Sequence, residues 1–314
     1  MLIIWSRAKH KHFEVTVTEV RQPPVVKSFF HAPMNTVTYL VSAPGASRAI
    51  VIDPVLDYDH RSGEMSSASV DAVLAAAKKD GLTVEWVLET HAHADHLSGA
   101  PTIKARTGAK VGIGAHIAEV QTLFRPIFGA DDVSGTGAEF DRLFRDGDQA
   151  NLSGLTVDVL HTPGHTPACV SYRIGDAVFV GDTLFMPDYG TARADFPGGD
   201  AATLYRSIQK LFALPDETRV FLCHDYLPEG RDHYVWETTI GAEKRSNIHV
   251  GVGKSQEDFV AMRTARDQGL AAPTLLLPAI QTNIRAGHLP PPDADGVRRL
   301  RIPLRGETAI DGLN

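Results

Sequence analysis

The chain has 314 residues, 43% apolar and 22% charged, with a formal net charge of −7. That is enough for one large α/β domain or two modest soluble ones. The acidic balance argues against a nucleic-acid partner, whose footprint is a basic patch, and no apolar run approaches the roughly 18–20 residues of a membrane helix.

At the start, MLIIWSRAKHKHF places its few apolar residues before its basic ones, the reverse of a secretory signal. With only Cys169 and Cys223, there is no disulfide framework. These features predict a cytoplasmic protein, and both thiols read as small buried hydrophobes. Next, TVTYLVSA and RAIVIDP predict paired strands around Pro44-Gly45. The insertion DYDHRSGEMSS (57–67) is long enough to lie over a site or to be a solvated loop. SASVDAVLAAAKKDG (67–81) has helical apolar spacing and a basic, glycine-ended C-terminus. TVEWVLET (83–90) predicts a strand, and SGAPTIKARTG (98–108) a helix stopped by glycine. In the second half LTVDVLHT (155–162), CVSYRIG (169–175), AVFVGDTL (177–184) and TRVFLCHD (218–225) predict strands, and DAATLYRSIQKLFAL (200–214) an amphipathic helix. SQEDFVAMRTARDQG predicts a last helix whose Ser255 and Asp258 form a capping box. GIGAH (112–116) lacks the third glycine of a dinucleotide fingerprint. GVGKS (251–255) lacks the first glycine of a phosphate loop, because residue 248 is isoleucine. Both read as strand-end turns.

Strands feeding helices in two successive halves imply sheets inside and helices outside, an α/β (α+β) class. The organisation expected is a segment 1–34 joining the domain, a core over 35–250, and a helical, Pro-rich extension over 251–314 packed on that core.

The chemistry gathers at strand ends. THAHADHLSGA (90–100) holds His91, His93, Asp95 and His96 within six positions. Alternate residues 91 and 93 can point the same way from extended backbone, and Asp95 and His96 start a turn that can face the same cavity. Unpaired buried polar groups are costly, so this density points to a divalent transition metal. HTPGHTPA (161–168) adds His165, VGDTL (180–184) adds Asp182, which taken alone reads as a turn former before threonine, and LCHDY (222–226) adds His224. His161 reads as packing at a strand end.

HAHADH, TPGHT, GDTL and CHD, in this order over about residues 35–250, resemble the metallo-β-lactamase fold superfamily. The resemblance implies a four-layer αββα sandwich with a metal site at the sheet edge. In its two-metal form, His91, His93 and His165 would hold one ion, Asp95, His96 and His224 the other, and Asp182 would bridge them. The stretch after Asp182, with Arg193, Asp195 and Phe196, then GGDAATLYRS (198–207) and HDY, is similar to the persulfide dioxygenases, and MPDYGTAR to a bacterial β-lactamase-like hydrolase branch of that family. That branch often carries cysteine where this chain has Ala194.

This resemblance implies one Fe(II) per chain on His91, His165 and Asp182. Two histidines and a carboxylate leave open positions for O2 and a persulfide sulfur. Both oxygen atoms pass to the outer sulfur of glutathione persulfide, and water releases sulfite and glutathione. His93, Asp95, His96 and His224 would orient ligands or position water. Tyr226 would donate a hydrogen bond near the metal. Arg193 would orient an anionic part of the substrate or pair structurally with Asp195, and His249 would face the glutathione end. The alternative is a glyoxalase II-type hydrolase of glutathione thioesters with one or two Zn(II). Such enzymes carry a Gly-Cys-Gly-Lys/Arg-Phe-Tyr-like segment, where this chain has YGTARADF. The partners expected are a small thiol persulfide and O2. A homodimer is also expected, the apolar PTLLLPAIQTN stretch burying either within the chain or in the dimer contact.

Overall fold

The structure, a computed structural model, describes residues 22–304. The N-terminal stretch read against a secretory signal lies outside the described residues. No described helix is long and apolar enough to cross a membrane.

The first half runs β1 (Val25–His31), β2 (Thr36–Ser42), β3 (Arg48–Ile52), β4 (Val55–Asp59), β5 (Glu64–Ser66), α1 (Ala68–Lys79), β6 (Thr83–Leu88) and β7 (Leu97–Ser98). It continues through α2 (Ala100–Thr107), β8 (Lys110–Gly114), α3 (Ile117–Phe128) and β9 (Arg142–Phe144). The second half holds β10 (Gln149–Leu152), β11 (Leu155–His161), β12 (Val170–Ile174), β13 (Ala177–Phe179), α4 (Ala201–Phe212), β14 (Arg219–Phe221) and β15 (Glu237–Thr239). Helices α5 (Ile240–Ser246), α6 (Gln256–Asp267) and α7 (Leu276–Asn283) follow.

Two six-stranded sheets form, ordered β1-β2-β3-β6-β8-β9 and β10-β11-β12-β13-β14-β15, with a small third sheet β5-β4-β7. The period-2 alternation of strands decides what each face meets. Val37, Tyr39 and Val41 of β2 join Ile50 and Ile52 of β3 against Val157, Tyr172 and Phe179 of the second sheet. On the first sheet's other face, Leu40, Val51 and Val87 pack on Val73 of α1, Ile103 of α2 and Phe124 of α3. On the second sheet's other face, Val178 and Val220 pack on Leu204 and Ile208 of α4, Ile240 of α5 and Phe259 of α6. Three apolar layers between four layers of elements give the expected αββα sandwich.

Several expected elements change in detail. AVFVGDTL is strand only to Phe179, and Gly181–Thr183 is a 3-10 turn. Gly181 has φ +51°, and a Cβ there would meet Thr90 Oγ1 at 2.6 Å, so close packing of this turn on the metal loop requires glycine. TRVFLCHD is strand only over Arg219–Phe221. GIGAH ends β8 as expected, but GVGKS joins helices α5 and α6 rather than ending a strand. The insertion 57–67 is neither lid nor loose loop. It forms the β4–β5 hairpin, and Asp57 accepts from Ser69 N (2.9 Å) and Oγ (2.7 Å) at the start of α1. The capping box at Ser255 and Asp258 is present. PTLLLPAIQTN contains α7, and its Leu275 and Ala279 bury against Leu97 inside the chain.

Candidate metal centre

His91, His165 and Asp182 bring one ligand atom each within 4.8 Å of one another, and so do His93, Asp95 and His96. Asp182 faces both ways. Its Oδ2 lies 3.5 Å from His165 Nε2 and 4.0 Å from His91 Nε2, and its Oδ1 lies 3.3 Å from His224 Nε2. Asp95 Oδ2 is 3.5 Å from the same His224 nitrogen. The residues come from four separate strand ends and meet at one edge of the sandwich, where side chains escape the ladder and can converge. His161 is absent from these groups. It stacks on His116 with centroids 4.1 Å apart and bonds the Pro167 carbonyl.

Backbone partners fix the imidazole tautomers. His165 Nδ1–H donates to the Arg193 carbonyl (2.8 Å), His224 Nδ1–H to Asn35 (3.1 Å) and His96 Nδ1–H to Leu97 (3.1 Å). A carbonyl only accepts, so Nδ1 of each ring carries a proton, and Nε2 is the nitrogen that each ring offers when neutral. Thr90 Oγ1 spends its proton on Asp53 Oδ2 (2.8 Å), so it accepts from His91 Nδ1 at 3.0 Å with the same result. His93 differs. Its Nε2 sits 3.0 Å from Asp53 Oδ1 and 3.6 Å from Glu89 Oε2.

The bare atoms are the test of a metal. His91 Nε2, His96 Nε2, His224 Nε2, His93 Nδ1, Asp95 Oδ2 and Asp182 Oδ1 are all buried without a hydrogen bond. Each such group costs about 1–3 kcal/mol if left alone. A bound cation satisfies them together, and the nitrogen and carboxylate donor set suits a transition metal. Burial, helped by the neighbouring imidazoles, holds His91 well below the usual histidine range, and burial with His93 takes His96 down to about 4. Both rings are neutral and ready to ligate. Burial opposes charge on His224, but Asp182 and Asp95 outweigh it and raise its pKa. Metal uptake at that ring therefore displaces a proton.

A cavity of about 390 Å³ opens onto His165, Asp182, His224 and Asp95, within the range of small-molecule sites. Tyr226 lines it, stacked on His224 (centroids 5.4 Å) and on Tyr189 (4.9 Å). Arg193 also lines it, but Asp195 takes its Nε (2.6 Å) and one terminal nitrogen (2.7 Å), and the Ala271 carbonyl takes the other (2.7 Å). Of its two expected roles, the structural pair with Asp195 is the one formed. His249 does not line the cavity. Its Nδ1 accepts from Thr191 N (3.0 Å), and a Cβ on Gly190 would meet that ring at 2.2 Å. The expected contact with the glutathione end is thus corrected: His249 props the loop from behind. Ala194 is buried and donates its N–H to Asp267 Oδ2 (2.8 Å).

The sequence reading missed the residues that hold the metal loop. Asp53, at the end of β3, accepts from Thr90 N at 2.7 Å. Asn283, at the end of α7, donates to the His93 and His96 carbonyls (2.8 Å each) and accepts from Ser98 N (2.9 Å). Glu89 accepts from Ser98 Oγ. Cys169 is buried, its thiol pushed up to about 12 by burial, with Thr166 as its partner. Cys223 is buried 3.8 Å from Asp53 Oδ2.

The metallo-beta-lactamase superfamily model matches residues 31–224. A probable metallo-hydrolase of Burkholderia pseudomallei is 49% identical over 89% of this chain and 98% of its own length. A beta-lactamase hydrolase-like protein of Xylella fastidiosa is 49% identical over 93% of the chain, which spans 66% of that longer protein. A Dictyostelium discoideum protein named glyoxylase B2 is 46% identical over 82% of the chain and 89% of its own length. The mitochondrial persulfide dioxygenase ETHE1 of Mus musculus is 27% identical over 86% of the chain and 91% of its own length. Among solved structures, ETHE1 from Myxococcus xanthus superposes with a TM-score of 0.67 at 34% identity, covering 84% of this chain and all of that one. With the ligand set at the sheet edge, the αββα layers and these matches in hand, the chain belongs to the metallo-beta-lactamase superfamily.

Proposed function

We propose that the protein is an Fe(II)-dependent persulfide dioxygenase acting on a low-molecular-weight thiol persulfide such as glutathione persulfide. The observation that carries the reading is the buried trio His91, His165 and Asp182, two of whose members stand on the wall of the cavity. His91, His165 and Asp182 would hold Fe(II), and the bound ion would supply the electrons for activating O2 beside a sulfur. Similarity to the two ETHE1 proteins supports the same reading.

The chain's own residues have definite tasks in it. The Arg193 carbonyl and Thr90 hydroxyl hold His165 and His91 with Nε2 toward Asp182. Phe185, Tyr189 and Tyr226 form an aromatic wall that limits water at the sulfur. The Tyr226 hydroxyl, which has no protein partner among the described residues, donates a hydrogen bond to the bound substrate. His224, flanked by Asp182 and Asp95, holds a proton that can pass to the departing thiolate. The overall reaction balances as persulfide, O2 and water giving thiol, sulfite and protons. Both O2 atoms join the outer sulfur, and water completes cleavage of the S–S bond.

A second reading has one specific observation behind it. The further ligands His93, Asp95, His96 and His224 would complete a two-zinc site for thioester hydrolysis, and a relative carries the name glyoxylase B2. The deciding experiment adds glutathione persulfide to anaerobically iron-loaded protein, follows O2 uptake and sulfite, and measures metal on the same sample. Stoichiometric uptake near one iron per chain is expected. Two zincs per chain, no uptake, and hydrolysis of a glutathione thioester would replace the oxygenase with the hydrolase.

A further inference from the structure

Three arginines line the cavity, and they differ in what they have left to offer. Arg193 is committed to Asp195 and to the Ala271 carbonyl. Arg263 is buried. It pairs with Asp267 through Nε (2.8 Å) and a terminal nitrogen (2.7 Å), and it donates to the Thr191 carbonyl at 3.0 Å. Arg266, three residues further along α6, lies on the same helix face. It is exposed, and its guanidinium has no partner among the described residues. Among the described residues, the only carboxylates that line the cavity are Asp95 and Asp182, both turned to the metal ligands. The cavity therefore has a metal at one wall and an uncompensated guanidinium on another.

We infer that Arg266 binds a carboxylate of the thiol substrate and so selects carboxylate-bearing thiols, glutathione among them, over neutral ones. The inference deepens the small-thiol reading above and rests on it for the ligand class. A guanidinium suits a carboxylate in a bidentate pair. An anionic persulfide sulfur at the metal and a carboxylate at Arg266 give such a molecule one defined direction in the cavity. A thiol without the carboxylate keeps only the first anchor.

The test is calorimetric titration of the zinc-loaded full chain with reduced glutathione and with its diethyl ester, which needs no turnover. Wild-type protein is expected to bind glutathione about tenfold more tightly than the ester, a difference of about 1.4 kcal/mol. Arg266→Gln is expected to abolish that preference by weakening glutathione alone, and Arg266→Lys to retain part of it. Equal weakening of both ligands, an unchanged preference, or no binding of glutathione to wild type would overturn the inference. Failure of the two ideas is distinguishable. Arg266-dependent glutathione binding without persulfide-driven O2 uptake leaves the subsite standing and removes the oxygenase. O2 uptake that is equal for esterified and free persulfide, in both wild type and Arg266→Gln, does the reverse.

Discussion

Asp182 gives one carboxylate oxygen to the His91 and His165 side and the other to His224. Its neighbours keep their own positions through backbone partners, so Asp182→Asn changes the charge and donor set without emptying the site. Loss of an outer partner typically costs 10–100-fold in metal affinity. Loss of this inner one is expected to cost at least about 100-fold, read by competition with a chromophoric chelator, with O2 uptake falling in parallel. Retention of full metal affinity would mean that Asp182 is not a ligand. The histidines and Asp182 were legible because their residue types, crowded at strand ends, have few other physical uses. Arg193 and His249 were not, since their roles depend on which atoms are already engaged. Asp195 and the Ala271 carbonyl take Arg193's donors, and Thr191 faces His249. Asp53 carries no mark in sequence that it will meet Thr90, 37 residues away.

At the level of elements, the C-terminal helices are part of the centre. Helix α6 anchors the 191–194 segment through Asp267 on Ala194 N and Arg263 on the Thr191 carbonyl, and the Arg193 carbonyl in turn orients His165. Helix α7 ends on Asn283, which clamps both turns of the metal loop. Asn283→Ala leaves two buried carbonyls and one buried N–H without partners. It is expected to destabilise the metal-free protein by about 3 kcal/mol and to weaken metal binding roughly 10–100-fold. Urea unfolding measures the first and chelator competition the second. Lost stability with unchanged metal affinity would show that the clamp supports the fold but not the ligands. The capping box of α6 could be read from Ser255 and Asp258 because it is local. Helix α3 had the right spacing in Ile117, Val120, Phe124 and Phe128, yet Pro126 within it and the glycines before it blur that signal. Strands β13 and β14 are shorter than their apolar runs suggest, because the chain must leave the ladder to reach the metal.

For the molecule as a whole, the support behind the cavity also sets how stability responds to pH. Glu243 on α5 is buried. Its Oε2 accepts from Asn247 Nδ2 at 2.6 Å, and its Oε1 has no partner. Asn247 also donates to the Gly190 carbonyl (3.0 Å) and accepts from His249 N (2.9 Å), which ties this acid to the loop facing the substrate. Burial raises Glu243 from 4.5 to about 8; the Asn247 bond opposes the rise and Asp188 adds to it. The folded chain thus keeps a proton that the unfolded chain releases above about 4.5. Its contribution is full below that value, declines as pH rises toward 8, and is constant beyond. His249 works in the opposite sense. Burial, then Arg263, lowers it to about 4, so stability falls as pH drops from 6.5 toward that value. Glu243→Gln separates the two. Glutamine keeps the acceptor for Asn247 and cannot ionise. The variant should match wild type near pH 5 and become progressively more stable by comparison up to pH 8. The gain is on the order of 4 kcal/mol at most, at about 1.4 kcal/mol per pH unit. Urea unfolding at pH 5, 7, 8 and 9 measures it. A difference that does not change with pH would mean that Glu243 stays ionised in the folded chain, and the alkaline decline would then belong to another group.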